Sequence, residues 1–521
     1  MKRYTTYVNG KIYTDLRHSN KVECLVTDLK KVVFAGDLAK ARREFDAQEF
    51  DLHGHTLYPA FQDAHGHLTD LGRSLSYPDL NACKSEDEML LVMKNNASSF
   101  DSKQWMIGRG WDQNKWNIKE LPDNTKLNAL FPDIPVMLVR TDSHAALLNQ
   151  TALNLSEHAW KPYSDSAHVL KNEKGMSGLL MDEAYYSVLP ISAESIQVKR
   201  KLISTASDFL ISKGITSIGD AWWTAEDRQL FLNLNDDQDL KIRIYGMMLP
   251  EEDNKHYFEN TGIVKKGLSH LRAFKFFADG ALSSRGAALL DDYSDSSGNK
   301  GFILHDSKYW NNQAEWCSHY GAQMVTHAIG DAANRMILGI YAQHLQSAKY
   351  KRWRIEHAQM VHNLDIEFFK TYQIIPVIQA CHAVSDYPWV ESRVGKERSH
   401  TLYRYKDFVN LCDAVPNTTD FPIEPPDVIA NLYAAIYRQN TNGMPENGYN
   451  IDQAVSPQTA LKSVTLDASY AQYEESEFGQ LNVGSQAEIV VLDKDLLHVP
   501  KDEFLSTKVV YVRRSESVLL E

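Results

Sequence analysis

Residue types that bind metal recur at the ends of strand-like segments in this chain, and that recurrence restricts the fold more than any other feature. His65 and His67 lie in LYPAFQDAHGHL, Lys275 in LRAFKFFADGAL, His327 in AQMVTHAIGD, His357 in WRIEHAQ and Asp420 in PNTTDFP. Their segments belong to a series of eight apolar runs: TLYPAFQDAH, GITSIGDAWW, LKIRIYGMML, LRAFKFFADG, AQMVTHAIGD, WRIEHAQ, IIPVIQACH and the run ending TTDFP. Each run is followed by a stretch of helical length. Near-continuous apolar strands alternating with helices are the pattern of parallel strands buried on both faces. Eight of them predict an α/β fold, a TIM-like (β/α)8 barrel, whose chemistry sits at the C-terminal strand ends.

The two ends of the chain read differently. Residues 1–56 and 477–521 are rich in short β-prone runs, among them YTTYVNGKIYT, with a type I′ hairpin signal at Asn9-Gly10, and QAEIVVLD. They are expected to pair into a small composite β-sandwich, with the barrel over 57–476 inserted between them. One barrel connection is far longer than the roughly 2–6 residues usual for such loops. Residues 69–212 are therefore expected to form a folded insertion after the first barrel strand, covering the barrel mouth and lining a substrate pocket.

Composition narrows the function. A net charge of −13 over 521 residues disfavours nucleic acid or an anionic membrane as partner, since both demand a basic face. No run reaches the ~18 apolar residues of a membrane span. The five scattered cysteines lack C-x-x-C spacing, which disfavours a disulfide framework. A cytoplasmic protein acting on a small molecule is expected.

Period-2 alternation turns both imidazoles of His65-Gly66-His67 to one side, toward one cation. His53-Gly54-His55 repeats the pattern before the first strand, at the wrong end of a barrel, and reads as a solvated turn. Lys275 stands inside an apolar strand. A buried, unpaired ammonium costs several kcal/mol and tends to lose its proton; a neutral lysine near two cations takes up CO2 as a metal-bridging carbamate. Pairing with Asp279 is the plainer alternative. His327 and His357 end the fifth and sixth strands, and Asp420 ends the last, placed to touch metal and accept a proton from bound water. Asp331 reads as a helix cap or as support for His327. Arg354 and Glu356 alternate away from His357 and read as facing the outer helices. Trp111, Trp116, Trp222 and Trp223 are candidate pocket walls. His144, Arg285, His382 and Asp386 are candidates to reach the substrate, with His382, Arg285 or His144 stabilising an oxyanion.

These motifs, together with GRGWDQNKW, RTDSHAALLN, QACHAVSDYPW and the tail GQLNVGSQAEIVVLD, resemble the amidohydrolase superfamily along nearly the whole chain. Within it they resemble the YtcJ-like branch that includes N-substituted formamide deformylases. The resemblance implies a divalent metal centre, usually two zinc ions with manganese, iron or nickel as alternatives, held by His65, His67, His327, His357 and Asp420 with Lys275 carboxylated. A homodimer is among the states it allows. Ala60, Thr419 and Glu488 depart from the usual glycine, serine and aspartate without removing a ligand.

The expected chemistry is hydrolysis of a C–N bond, an amide or N-substituted formamide. Two cations ~3.5–4 Å apart lower the pKa of bridging water from 15.7 toward ~7, and Asp420 carries the proton to the leaving amine. Two alternatives stay open: a mononuclear, deaminase-like site with a structural Lys275, and a non-catalytic ligand-binding or regulatory member.

Overall fold

The computed structural model describes residues 4–520 apart from 19, 98–104, 114–115, 141–144, 167, 173–174, 190–193, 347–348 and 516. The chain forms two compact units, Met1–Leu68 with Ser207–Glu521, and Thr69–Ala206.

Seven parallel strands of the first unit lie side by side in chain order: β1 (Phe61–Gly66), β2 (Ile215–Trp223), β3 (Arg243–Met248), β4 (Ser269–Phe277), β5 (Gln323–Ala328), β6 (Arg354–His357) and β7 (Ile375–Val377). They are buried almost throughout, as continuous apolar runs with helices between them require. Ala221, Tyr245, Met247, Ala273 and Val325 cluster in the barrel core. The result is a nearly closed parallel barrel of the TIM type.

The eighth run forms no regular strand. Residues 416–421 instead close the ring by single parallel bridges, Ile378 with Asn417 and Gly66 with Phe421. Pro416 and Pro422 have no N–H to give a ladder, and Asp420 sits in left-handed backbone at φ 54°, which extended strands exclude.

Both chain ends meet in one six-stranded sheet, where Glu488–Leu492 pairs antiparallel with Thr56–Pro59 and Val490 faces Tyr58. A four-stranded sheet of N-terminal strands shares a core with it, built from Tyr7, Ile12, Leu25, Leu57, Ile489 and Tyr511 among others. The Asn9-Gly10 hairpin does not form. Tyr4–Val8 and Lys11–Asp15 belong to different sheets. Asn9 has positive φ, as a type I′ turn requires, but Gly10 does not. Gly10 serves another purpose: a Cβ there would lie 2.6 Å from His55 O. The turn carries the chain from one sheet to the other.

Glu488 opens its strand inside a buried ion network. It binds Arg243 at the start of β3 by two 3.1 Å hydrogen bonds and accepts 2.8 Å from Thr216 Oγ1, while Glu474 accepts from the third guanidinium nitrogen, Nη1. Losing one partner of such a network costs about 3–5 kcal/mol, so the sandwich strand and the barrel strands are joined by charge as well as by packing.

The second unit holds a five-stranded sheet in the order Val169–Asn172, Gly175–Met181, Ala145–Leu148, Val136–Arg140 and Met106–Trp111, with its own apolar clusters. Among the described residues no helix is long and apolar enough to cross a membrane.

Candidate metal centre

The C-terminal end of β1 is tied to the closing segment. Asp420 N donates to His65 O at 3.2 Å and His67 N to Phe421 O at 2.8 Å. Beneath them Asp63 accepts from Thr419 N at 3.0 Å, from Thr419 Oγ1 at 2.6 Å and from His65 N at 3.2 Å. The first and last segments of the barrel therefore present their side chains from one shared frame.

His65, His357 and Asp420 each offer a ligand atom within 4.8 Å of the others, and all three are buried. His327 packs against His357 with ring centroids 4.6 Å apart, and His67 lies 5.7 Å from His65 by the same measure. Asp420 Oδ1 is 3.4 Å from His65 Nε2 and 3.3 Å from His67 Nε2. Lys275, 1% exposed, points inward and donates to His65 Nε2 at 3.1 Å. It makes no pair with Asp279. That carboxylate instead accepts backbone N–H from Ala288, Ile329 and Gly330 at 2.8–3.0 Å.

Arg354 and Glu356 overturn the sequence expectation, for both face the barrel interior. Glu356 receives the His65 Nδ1 hydrogen and is itself held by Arg354 Nε and Nη2 at 2.8 Å; Arg354 also reaches Ala64 O at 2.9 Å. Alternation failed as a guide because His357 leaves the extended region at φ 73°, so it points inward beside a neighbour that also does. The arrangement fixes a tautomer. Glu356 keeps the proton of His65 on Nδ1, and Gln379 Oε1 at 3.0 Å does the same for His357, leaving both Nε2 lone pairs toward the cluster. Metal-binding histidines are oriented this way by an acceptor on their second nitrogen.

Electrostatics prepare the same group. Burial, then the nearby Lys275 charge, lowers His65 to about 4 and His327 to about 3, and burial takes His357 well below its ordinary value. All three are neutral at pH 7, as ligands must be. Burial also lowers the Lys275 ammonium to about 8, against the pull of Glu356 and Asp420. For Asp420 burial works upward, but His67, His65 and His357 outweigh it and hold the carboxyl well below the usual range. His327 Nε2 and Asp420 Oδ1 are buried with no hydrogen-bond partner. His327 Nε2 also lies 3.5 Å from Asp279 Oδ1; neutral imidazoles and a buried carboxylate fit a divalent cation of the zinc type.

The remaining candidates divide. Trp222, 54% exposed at the end of β2, stands 6.4 Å from His67 and 5.1 Å from Phe277 between ring centroids. His382 stacks on His357 at 6.4 Å with its Nε2 buried and unpartnered. Asp386 accepts from Tyr403 Oη at 2.5 Å, four residues beyond His382. Arg285 is held by Asp295 at 2.9–3.0 Å and is not brought to the cluster. Trp111 is no pocket wall: it is fully buried in the core of the second unit beside Trp116, donating to Leu138 O. Trp223 is likewise core, stacked on Phe231 at 4.2 Å. Asp331 is the first residue of the helix Asp331–Leu345, after the N-cap Gly330, and its carboxylate accepts from Leu290 N at 2.9 Å. His53 and His55 flank an exposed turn. His144 lies outside the described residues. Sequence reasoning missed Gln379, Asp63 and the inward role of Glu356; polar residues inside otherwise apolar strand runs were the available signal.

A model of the amidohydrolase family matches residues 48–519. YtcJ of Bacillus subtilis (strain 168) is 26% identical over 93% of this chain and 93% of its own length. The N-substituted formamide deformylase of Arthrobacter pascens is 23% identical over 86% of this chain and 85% of its own. Among solved structures, a metal-dependent hydrolase from Pyrococcus furiosus superposes with a TM-score of 0.83 at 27% identity, covering 95% of this chain and 100% of that one.

Replacing Gln379 by methionine removes the acceptor for His357 without changing charge. Zinc affinity, measured by competition with a chromogenic chelator, is expected to fall about 10–100-fold, with an unchanged far-ultraviolet circular dichroism spectrum.

Proposed function

The chain belongs to the amidohydrolase family, and from that premise we propose that it is a metal-dependent hydrolase cleaving a C–N bond in a small molecule, an amide or N-substituted formamide. The observation that carries this reading is the convergence of His65, His357 and Asp420 at the strand ends beside a buried, easily neutralised lysine. The deformylase relative supports the bond type.

His65, His67, His327, His357 and Asp420, with Lys275, would hold the cations, zinc first and manganese, iron or nickel as alternatives; bound there, such cations supply Lewis acidity and ionise water near neutral pH. Asp420, held well below the usual carboxylate range beside His67, takes the proton of the attacking water and passes it to the leaving nitrogen. His382 turns its unpartnered Nε2 to the carbonyl oxygen as negative charge develops there. Trp222 and Phe277 form an apolar wall beside His67 that limits water. The Lys275 amine, once neutral, adds to CO2 through its nitrogen lone pair and releases one proton, giving a carbamate anion. The five free cysteines suit a reducing compartment such as the cytoplasm.

A mononuclear site is the second reading. It is favoured by one feature: among the described residues only His65, His357 and Asp420 form a compact ligand group. Metal analysis separates the two, with about two equivalents per chain expected for the paired site and about one for the single site.

Turnover is expected on a panel of amides and N-substituted formamides with added zinc or manganese, and D420N is expected to lose about 10²–10⁴-fold in kcat while still binding metal. No hydrolysis across the panel would contradict the reading.

Carboxylation carries its own pH signature. The amine is protonated below its value of about 8 and only the neutral form adds CO2. In metal-free protein held with 13C-bicarbonate, the carbamate carbon signal is therefore expected to grow from pH 6 to pH 8.5 and to be absent in K275M.

A further inference from the structure

β1 ends at Gly66, so His67 stands just past its own strand. Two hydrogen bonds to neighbouring segments hold its main chain there. Its N–H donates to Phe421 O at 2.8 Å on one side, and the next N–H, that of Leu68, donates to Asp220 Oδ1 at 2.7 Å on the other. Asp220 lies on β2, in register with Gly66, and is 3% exposed. The peptides before and after His67 are therefore both tied down, which limits the directions its side chain can take.

The second oxygen of Asp220 has a different task. Oδ2 accepts from Trp223 Nε1 at 2.6 Å. Trp223 is further fixed by its stack on Phe231 and by its carbonyl, which accepts from Leu249 N at 2.8 Å and Asn254 Nδ2 at 2.9 Å. Between these two anchored residues β2 has a bulge. Ala221 faces Met247 and Trp223 faces Met248, so the intervening Trp222 has no partner on β3. Trp222 absorbs the surplus with φ 75°, a conformation bulky side chains rarely adopt. A bulge re-aims a side chain, and this one leaves the Trp222 indole half-exposed, 6.4 Å from the His67 ring.

We propose that Asp220 is a positioning residue for the candidate metal centre. Its Oδ1 sets His67 through the Leu68 amide, and its Oδ2 sets the bulge that presents Trp222. It acts through those two N–H groups and not by contact with a cation or substrate. The proposal rests on the metal-binding reading of the site.

Four full-length proteins test it: the wild type, D220N, W223F and D220N/W223F. Asparagine offers one acceptor oxygen to two N–H donors, and its own amide N–H groups oppose the other donor. Zinc affinity is measured by chelator competition at pH 8, above the value of about 7 to which burial raises Asp220. D220N is expected to bind zinc about 10–100-fold more weakly than the wild type. W223F, which leaves the Leu68 N–H its carboxylate, is expected to stay close to the wild type. In D220N/W223F the asparagine oxygen is free for the Leu68 N–H, and most of the lost affinity is expected to return. A role through charge or through core packing alone predicts no such recovery. Hydrogen exchange on the native metal-free protein gives a second readout, which decides the matter should D220N fail to fold: the Leu68 amide is expected to be protected before any metal is added. Unchanged zinc affinity in D220N, a double variant no better than D220N, or rapid exchange at Leu68 overturns the proposal. A wild type that binds no zinc overturns instead the metal-binding reading beneath it.

Discussion

The tie between the first barrel strand and the closing segment is the constraint on which the rest of the site depends. Asp63 accepts from both the backbone and the hydroxyl of Thr419, and main-chain bonds link His65 to Asp420 and Phe421 to His67. Other bonds hold residues 417–418, among them Thr418 N to Ile378 O at 2.8 Å and Ala380 N to Asn417 Oδ1 at 2.9 Å, but it is the tie to the first strand that fixes Asp420 relative to His65 and His67. A backbone position in the left-handed region, as at Asp420 and His357, costs about 1–3 kcal/mol. Such positions persist where the surroundings over-determine them, and both occur among the clustered ligand types.

The imidazoles are positioned from behind. Arg354 orders Glu356, Glu356 orders His65, and Gln379 orders His357. Glu356 and Gln379 are the acceptors that assign the ring protons, so the His65 and His357 atoms facing the cluster are lone pairs. Burial does the complementary work by keeping those rings neutral. The same burial makes Lys275 easier to deprotonate. One apolar barrel end thus yields neutral ligands and a nucleophilic amine, while Asp420, beside His67, is held well below the usual carboxylate range.

Much of this was legible in the sequence because it depends on residue type and period. Buried parallel strands announce themselves as apolar runs, and His65, His357, Lys275 and Asp420 interrupt those runs at their ends. What escaped depends on the sign of a backbone angle or on partners distant in sequence. Alternation assigned Arg354 and Glu356 outward because nothing in WRIEHAQ signals the left-handed turn at His357. Asn9-Gly10 looked like a hairpin because local turn chemistry does not reveal that the flanking strands join different sheets. Trp111 resembled a pocket wall, but a tryptophan packed in an apolar core carries the same local pattern. The final run counted as a strand, although its prolines and Asp420 reduce it to bridges.

The central claim is that these side chains surround a cation, and diffraction at the zinc absorption edge from crystals grown with zinc tests it most directly. Strong anomalous density in contact with His65 Nε2, His357 Nε2 and the Asp420 carboxylate is the predicted result. Zinc bound elsewhere, or no density among those three side chains at saturating zinc, would contradict the account.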